Sequence, residues 1–210
     1  MVFIVPPGKI GDFTSQAFRM TSCLLVIDAQ ESFRHRPYFN ATDLPAYLGA
    51  QNALIAGCIV QGMPVVRIFH VDAPATASNA FAMESGYIQP ILGLADFAAA
   101  ATFHKGRHSA LVGTGLGVWL TKNHISNLII TGIRTEQCCE TTTRHASDLG
   151  YTVDYALDAT LTWDMAQSDG STLSAADIKM RTATVLQDRF ANVCTAQEAL
   201  ARVLKLQSRP

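Results

Sequence analysis

The stretch CLLVIDAQESF, residues 23–33, decides the fold class of this chain. Its apolar residues run without interruption up to Asp28, whereas a strand with one face in water would alternate apolar and polar residues. A continuous run of this kind is typical of a strand in a parallel sheet that helices cover on both faces. Three further runs have the same character, at 64–71, 128–133 and 151–159.

Segments with helical spacing lie between these strands and predict a layered arrangement. Alternating strands and helices favour an α/β fold with three α/β/α layers around a mostly parallel, doubly wound sheet. The 210 residues are expected to form a single domain, 1–210, in which the segment 72–100, rich in Ala, Gly and Pro, is a long loop or lid. The predicted helices cover 42–62, 113–124, 136–149 and 174–189, followed by a short strand at 191–195 and a last helix at 196–206.

Composition argues against several classes of partner. The 16 Lys and Arg residues nearly balance 17 Asp and Glu residues, and no basic run is present that would favour nucleic acid or an anionic membrane. The first residues lack the pattern of a targeting segment, and no apolar run reaches membrane-spanning length. We therefore expect a cytoplasmic protein with a small-molecule partner. Its five cysteines, an odd number in mostly apolar surroundings, predict reduced thiols.

Several residues follow the predicted strands at the sheet edge where open α/β folds bind ligands. A carboxylate directly after a strand, as at Asp28, is either a turn or capping residue or a placed acid or base, and the pattern alone leaves both open. The residues expected at this edge are Asp28, His70, Gly132, Ile133 and Asp158.

The adjacent Cys138 and Cys139 point in different directions on the predicted helix 136–149. Cys139 belongs to a buried stripe with Ala146 and Leu149, and with Thr142 or Thr143 between them. Cys138 lies about 100° around the helix. It is therefore expected to face the strand ends, on the same side as Thr141, Thr142 and His145.

A thiol at a helix start can be activated by its surroundings. Thr135 is a good N-cap, and the free N–H groups that follow it favour a thiolate at Cys138. Glu136 opposes this effect, so a second activating group is needed. The candidates are Asp28, which could accept the thiol proton, and a lysine or histidine of segment 102–111. Cysteine, aspartate and lysine together suffice for amide hydrolysis.

Three separated motifs resemble those of one family in the family's order. LLVIDAQESF at 24–33 is similar to its D-x-Q-x-x-F signature, and HKGRHSAL at 104–111 to its K-x-x-x-S-A-F segment, with Leu111 where phenylalanine is usual. GIRTEQCCETTTRHASDLGY at 132–151 resembles G-V-x-T-x-x-C-V-x-x-T-A-R-x-A-x-x-x-G-Y. From about residue 20 to 205 the chain therefore resembles the isochorismatase-like cysteine hydrolases, which include nicotinamidases, N-carbamoylsarcosine amidase and ureidoacrylate amidohydrolase.

The resemblance implies an isochorismatase-like hydrolase fold and a catalytic trio. Asp28 would be the acid and base, Lys105 the electrostatic support and Cys138 the nucleophile that forms a thioester from an amide, carbamoyl or ureido group. Asp28 would also activate the water that hydrolyses the thioester. The family further implies a cis peptide bond between Ile133 and Arg134, an oxyanion hole made by the amides of Arg134 and Cys138, and a homodimer or homotetramer.

Further residues are candidates for substrate binding. The Arg134 guanidinium could clamp a substrate carboxylate, or it could pair with Glu136 or a partner chain. The other candidates are Gln30, Phe33, His70 and Trp163. Among them, Phe33 is most simply a residue of the core or of the pocket wall, and Trp163 either lines the pocket or lies in a subunit contact.

No metal or other cofactor is expected. The nicotinamidases of this family bind a divalent ion through a D-x-H pair, whereas His70 and Asp72 stand here in the reverse order. These two residues could still form a metal site with His104 or His108, which is the less favoured alternative.

Three other functions stay open from the sequence. Hydrolysis of an isochorismatase-type vinyl ether and catalytically silent binding of a small molecule would both use the same fold. A redox pair of Cys138 and Cys139 is disfavoured because a disulfide between adjacent residues is strained.

Overall fold

The computed structural model of the protein describes residues 21–207. Its strands are β1 (Thr21–Ile27), β2 (Val65–His70), β3 (Ala101–Lys105), β4 (Ile125–Ile133), β5 (Thr152–Leu161), β6 (Met165–Ala166), β7 (Thr172–Leu173) and β8 (Asn192–Cys194). Six parallel strands form the main sheet, in the spatial order β3-β2-β1-β4-β5-β8. The short strands β6 and β7 pair separately and are antiparallel.

Helices cover both faces of this sheet, which confirms the predicted α/β/α layers. Helices α1 and α5 pack on one face, and α2, α3 and α4 contribute to the core on the other. The α-helices are α1 (Leu44–Val60), α2 (Leu116–Lys122), α3 (Glu140–Asp148), α4 (Ala175–Leu186) and α5 (Ala196–Gln207). Shorter helical turns cover Glu31–His35, Met83–Ser85 and Thr135–Cys139.

The uninterrupted apolar run of β1 is explained by burial on both faces. Leu24 and Val26 belong to the core beneath α1 and α5, whereas Leu25 and Ile27 belong to the opposite core. Since successive side chains of a strand point to opposite faces, both kinds of position must be apolar here.

Strand β3 was not predicted, and its exposure explains why. It lies at the edge of the sheet beside β2, and its residues Thr102 and His104 are exposed. An edge strand of this kind lacks the continuous apolar run that revealed the central strands. The helix predicted at 113–124 is also shorter than expected, because only Leu116–Lys122 is α-helical.

The segment 72–100 is a long connection between β2 and β3 with one short helical turn, as the sequence predicted. It is tied to the chain that follows β1, where the Glu31 N–H donates to the Gln89 carbonyl and the Ile91 N–H donates to the Ala29 carbonyl, both at 2.9 Å. Its role as a lid stays a prediction.

Within residues 21–207, no helix has the length and apolar character needed to cross a membrane. The beginning of the chain, where the sequence predicts no targeting segment, lies outside the described residues.

Candidate active site

The candidate site lies where the strand order of the sheet changes direction, between β1 and β4. Chain order runs from β1 through β2 to β3 on one side and from β4 onward on the other, so a crevice opens at the carboxyl ends of the central strands. Asp28 follows β1, His70 ends β2, Lys105 ends β3, and Cys138 lies in the turn after β4.

Asp158 does not belong to this edge, contrary to the prediction. Strand β5 continues to Leu161, so Asp158 lies within the strand rather than at its end. Its carboxylate accepts a hydrogen bond from the Ala196 N–H at the start of α5, at 2.7 Å. This aspartate therefore positions a helix away from Cys138.

The Lys105 ammonium is the centre of the site. Its Nζ lies 2.7 Å from Asp28 Oδ2, 3.2 Å from Cys138 Sγ and 2.9 Å from His70 Nδ1. The side chains of Lys105 and Asp28 are fully buried. Burial lowers the pKa of Lys105, but Asp28 and Cys138 outweigh that effect and raise it above its ordinary value, so the ammonium stays charged.

The surroundings of Cys138 raise the pKa of its thiol. Burial is the largest cause, Asp28 adds to the increase, and Lys105 opposes it without reversing it. This direction is opposite to the lowering expected from the free N–H groups at the helix start. Asp28 Oδ1 accepts no hydrogen bond within the described part of the chain. Because a carboxylate oxygen of Asp28 lies within 4.8 Å of Cys138 Sγ, Asp28 is placed to take the thiol proton.

The turn that carries Cys138 is π-helical rather than the first turn of an α-helix. It covers Thr135–Cys139, and α3 begins only at Glu140. Thr135 does not cap a helix, because its hydroxyl donates to Thr160 Oγ1 at 2.8 Å. Single π-helical turns are frequent at functional sites.

The buried stripe predicted for this helix is confirmed over most of its length. Its fully buried members are Cys139, Thr142, Thr143 and Ala146. Leu149 lies beyond the last residue of α3 and is 57% exposed, so it does not belong to the stripe. Thr141 is exposed instead of facing the strand ends.

Asp28 adopts an uncommon backbone conformation next to a very close strand contact. Its φ is 50°, in the left-handed region that few residues other than glycine occupy. Beside it, Gly132 of β4 has φ 123°, and a Cβ at this position would lie 1.8 Å from the Ile27 carbonyl oxygen. Only glycine allows β4 to approach the end of β1 so closely.

The peptide bond between Ile133 and Arg134 is cis.

A pocket of about 150 Å³ opens onto Cys138. Two of the predicted substrate-binding residues, Phe33 and His70, line it. Its wall also holds aromatic, charged and amide side chains that motif analysis did not assign to substrate binding. The lining residues are Asp28, Phe33, Arg36, Tyr38, His70, Asp72, Asn79, Phe81, His108, Gln137 and Cys138.

Gln30, in contrast, is not among the residues that line this pocket. Its Nε2 donates to the His70 carbonyl at 3.0 Å and to Ser32 Oγ at 2.9 Å, and its Oε1 accepts from the His70 N–H at 2.7 Å. Gln30 is fully buried. It therefore holds the end of β2 against the chain that follows Asp28, and direct contact with a substrate stays a prediction.

Arg134 is buried behind the pocket wall. Its Nε lies 3.0 Å from Glu136 Oε1, the ion pair that the sequence offered as an alternative to a substrate clamp. Its Nη2 donates to the Trp163 carbonyl at 3.1 Å, and its guanidinium lies 5.0 Å from the centre of the Tyr38 ring. Its role as a carboxylate clamp stays a prediction.

Trp163 supports the pocket from the same layer. Its ring is buried, its Nε1 donates to the Asn40 carbonyl at 2.9 Å, and its centre lies 5.6 Å from that of Phe33 and 5.4 Å from that of Tyr38. Trp163 thus packs behind two residues that do line the pocket.

Asp28, His70 and Cys138 are the one group in the described part of the chain whose ligand atoms converge closely enough for a metal ion. The Lys105 ammonium already contacts the same three side chains. A metal cation would therefore have to compete with a charged ammonium for these groups, so the arrangement fits a lysine-centred site better than a metal centre.

Sequence reasoning missed Arg36 and Tyr38 as pocket residues. Both follow β1 closely in the chain, and that proximity to a strand end was the signal available. In the long segment 72–100, the sequence offers Phe81 and Tyr87 as aromatic residues that either close over a substrate or pin the loop, and Phe81 does line the pocket.

The known family that matches is the isochorismatase domain, whose model covers residues 22–198. The curated protein YrdC of Bacillus subtilis (strain 168), an uncharacterised member of the isochorismatase family, is 32% identical over 98 residues. That match spans 47% of this chain and only 52%, about half, of the curated relative.

Solved structures agree with the match. A Burkholderia xenovorans LB400 protein provisionally classed as an isochorismatase is 30% identical, with a TM-score of 0.79 over 88% of each chain. A cysteine hydrolase from Pseudomonas syringae pv. phaseolicola 1448A has the same TM-score at 21% identity, covering 90% of this chain and 94% of that one, and so shares the fold. These matches define a hydrolase of the three-layer α/β/α class. The chain belongs to the isochorismatase family.

Proposed function

We propose that the protein is a cysteine hydrolase that cleaves a C–N bond in a small amide, carbamoyl or ureido compound. The observation that carries this proposal is the contact of one ammonium, Lys105 Nζ, with both Asp28 and Cys138. A thiol that can release a proton, a carboxylate that can accept it and a fixed positive charge beside both are what thioester formation from an amide requires.

The acylation step follows from this arrangement. Because its raised pKa disfavours a free thiolate, Cys138 needs a proton acceptor, and Asp28 accepts the proton as Sγ forms a bond to the carbonyl carbon. Lys105 stabilises the negative charge on whichever group carries it. The C–N bond then breaks, the nitrogen leaves with the proton returned by Asp28, and a thioester remains on Cys138 for water to hydrolyse.

The amides of Arg134 and Cys138 are proposed to stabilise the oxyanion. The turn between them supports this role, because the Arg134 carbonyl accepts hydrogen bonds from the N–H groups of Gln137 and Cys139, each at 3.2 Å. These bonds fix the backbone on both sides of the nucleophile, and a fixed donor geometry is what gives an oxyanion hole its effect.

The pocket supports a small substrate. Its volume of about 150 Å³ lies below the usual range of drug-sized sites, roughly 300–1,000 Å³. Aromatic rings at Phe33 and Phe81, which meet edge to face at 5.0 Å, provide an apolar part of the same pocket wall.

The proposal is tested by ammonia release from a panel of small primary amides, carbamoyl compounds and ureido compounds without added metal. We expect Cys138→Ala to abolish turnover, and Cys139→Ala to retain it because Cys139 is a core residue. Circular dichroism and thermal unfolding establish that each variant is folded. Full turnover by a folded Cys138→Ala protein would refute the thioester mechanism.

The oligomeric state, the cellular location and the independence from a cofactor are likewise proposals. The family resemblance favours a homodimer or homotetramer that acts in the cytoplasm without a cofactor. Sedimentation equilibrium of the purified protein distinguishes these assemblies from a monomer by mass.

A further inference from the structure

Arg36 is a cationic side chain of the pocket that the acylation step does not use. It lines the same cavity of about 150 Å³ as Cys138, and its side chain is exposed. Its guanidinium carbon lies 5.7 Å from the centre of the Phe81 ring and 5.9 Å from that of Tyr38, two other residues of the pocket wall. Within residues 21–207, no carboxylate forms an ion pair with it.

The other cations near the site already have anionic partners. Lys105 is fully buried, and its ammonium lies 2.7 Å from Asp28 Oδ2. Arg134, which the sequence offered as a clamp for a substrate carboxylate, does not line the pocket, and its Nε lies 3.0 Å from Glu136 Oε1. Among the described residues, Arg36 is therefore the cation that lines this pocket and lacks an anionic partner.

The backbone at Arg36 is held on both sides. Its N–H donates to the Phe33 carbonyl at 3.1 Å, just after the helical turn Glu31–His35, and its carbonyl accepts from the Phe39 N–H at 3.0 Å. Its guanidinium also lies within the distance at which a cation is attracted to the ring of Phe81. Because it is partly ordered before a ligand arrives, it loses less conformational freedom on binding an anion than a freely moving arginine would.

The acidic side chains of the pocket restrict where a substrate could carry a negative charge. Asp72 and Asp28 both line the pocket, and Asp72 Oδ1 accepts the Ala73 N–H at 2.8 Å. A carboxylate is repelled by these two residues and attracted by the guanidinium of Arg36. The charges of the pocket therefore favour a position beside Arg36 for a substrate carboxylate.

We propose that Arg36 determines specificity by binding a carboxylate of the substrate, while the C–N group of the same molecule reaches Cys138. A guanidinium can bind a carboxylate through two parallel hydrogen bonds, which fix its orientation as well as its position. The substrate is then a small carboxylic acid that also carries an amide, carbamoyl or ureido group, rather than a neutral amide. This inference rests on the proposed cleavage of a C–N bond and narrows it to one class of compound.

Two pairs of compounds that differ by a carboxylate test this specificity through ammonia release. They are succinamate with butanamide, and 3-ureidopropanoate with propylurea. For the wild type we expect kcat/KM to be at least about tenfold higher for the acid than for the neutral compound of a pair, the range that a hydrogen bond to a charged group provides.

Replacement of Arg36 by Met should remove this preference. We expect KM to rise for the acid while its kcat and the kinetics of the neutral compound stay unchanged, because the carboxylate is bound equally before and during the chemical step. Arg36→Lys keeps the charge but not the paired donors and should retain part of the preference.

Arg34→Met is the matched control. Arg34 is also exposed and lies two residues away, but it pairs with Glu31 at 3.3 Å and does not line the pocket. It should behave like the wild type towards both pairs of compounds.

Calorimetric titration of the folded Cys138→Ala protein measures binding apart from turnover, because this variant lacks the proposed nucleophile. The acids should bind more tightly than their neutral partners, and the added Arg36→Met change should remove the difference. Equal affinity and equal kcat/KM within each pair, or equal losses for acid and neutral compound in Arg36→Met, would overturn the role of Arg36 alone.

Two further outcomes concern the hydrolysis itself. Binding of the acids that depends on Arg36, without ammonia release by the wild type from any of the four compounds, would support the anion site and contradict the proposed C–N cleavage. A protein that neither binds nor cleaves any of them would contradict both proposals.

Discussion

Lys105 keeps its charge in a fully buried position because two neighbours offset the cost of burying it. Asp28 pairs with it at 2.7 Å, and Cys138 contacts it at 3.2 Å. A buried charge of this kind is stable only while its partners remain, and the partners depend equally on the charge. The reactivity of the thiol is therefore set by Lys105 as much as by Cys138 itself.

Replacement of Lys105 by Met should raise the pKa of Cys138 further, because the lysine charge is the main influence that lowers it. One unit of pKa changes the thiolate fraction about tenfold. We expect iodoacetamide to alkylate Cys138 at least about tenfold more slowly at about pH 8, and peptide mass mapping assigns the label. Lys122→Met, at the exposed end of α2, is the control. Equal alkylation rates for wild type and Lys105→Met would contradict this account.

Sequence patterns located the charged residues of the site better than they located its environment. Asp28, Lys105 and Cys138 could be found because each stands in a spaced motif. The direction in which the pKa of Cys138 shifts could not be predicted, because it depends on burial. Burial arises only when distant segments of the chain pack together. The choice between a clamp and an ion pair at Arg134 likewise depended on where Glu136 would lie.

At the scale of single elements, the close contact between β1 and β4 restricts the choice of residue most strongly. Gly132→Ala would place a Cβ 1.8 Å from the Ile27 carbonyl, and its φ of 123° is unfavourable for alanine. We expect a loss of about 3 kcal/mol or more in the free energy of unfolding, measured by urea denaturation. Any native protein that remains should have low activity, because Asp28 directly follows Ile27.

Gly117→Ala is the matched control for this prediction. Gly117 lies in α2 with no atom within 4 Å of the added Cβ. Alanine is the better helix former by about 1 kcal/mol, so this variant should be as stable as the wild type or slightly more stable. Similar urea midpoints for Gly132→Ala and the wild type would show that the strands can separate at little cost.

Elements were predictable where their surroundings are uniform. The central strands have both faces buried and could be recognised as continuous apolar runs. Strand β3 has an exposed edge and lacks such a run, so it could not be recognised. The helix predicted at 136–149 contains a π-helical turn at Thr135–Cys139, and nothing in its amino-acid spacing distinguishes that turn from an α-helical one.

At the scale of the whole molecule, the buried thiols make stability sensitive to alkaline pH. Burial raises the pKa of all five cysteines, and it raises those of Cys58 and Cys194 to about 12. The folded state therefore keeps protons that the unfolded chain releases above about pH 9, the ordinary thiol pKa. The free energy of unfolding should fall as pH rises, by about 1.4 kcal/mol per pH unit for each such thiol.

Urea titrations at several pH values between about 8 and 11 check this dependence. At acid pH, His70 gives a dependence of the opposite sign. Burial and Lys105 lower the pKa of His70, so its contribution to the free energy of unfolding is lost as pH falls below about 6.5. A stability that stays constant from pH 8 to 11 would contradict the burial of the thiols.

The fold class of the whole molecule could be predicted because strand and helix alternation is a property of local sequence. The pocket could be predicted only in part. Its walls combine the turn after β1 with the segment 72–100, and which side chains of these stretches meet, such as Tyr38 and Phe81, is decided by tertiary packing.

The Lys105 ammonium and the three side chains around it follow or end four neighbouring strands, at positions 28, 70, 105 and 138. None of the strand pairings that bring them together is local, since each requires a crossover of many residues. During synthesis the first three are made well before Cys138, so an emerging chain holds an incomplete site until β4 inserts beside β1. The site is therefore complete only once β4 has paired with β1, and recovery of activity on refolding should report this long-range pairing rather than early helix formation.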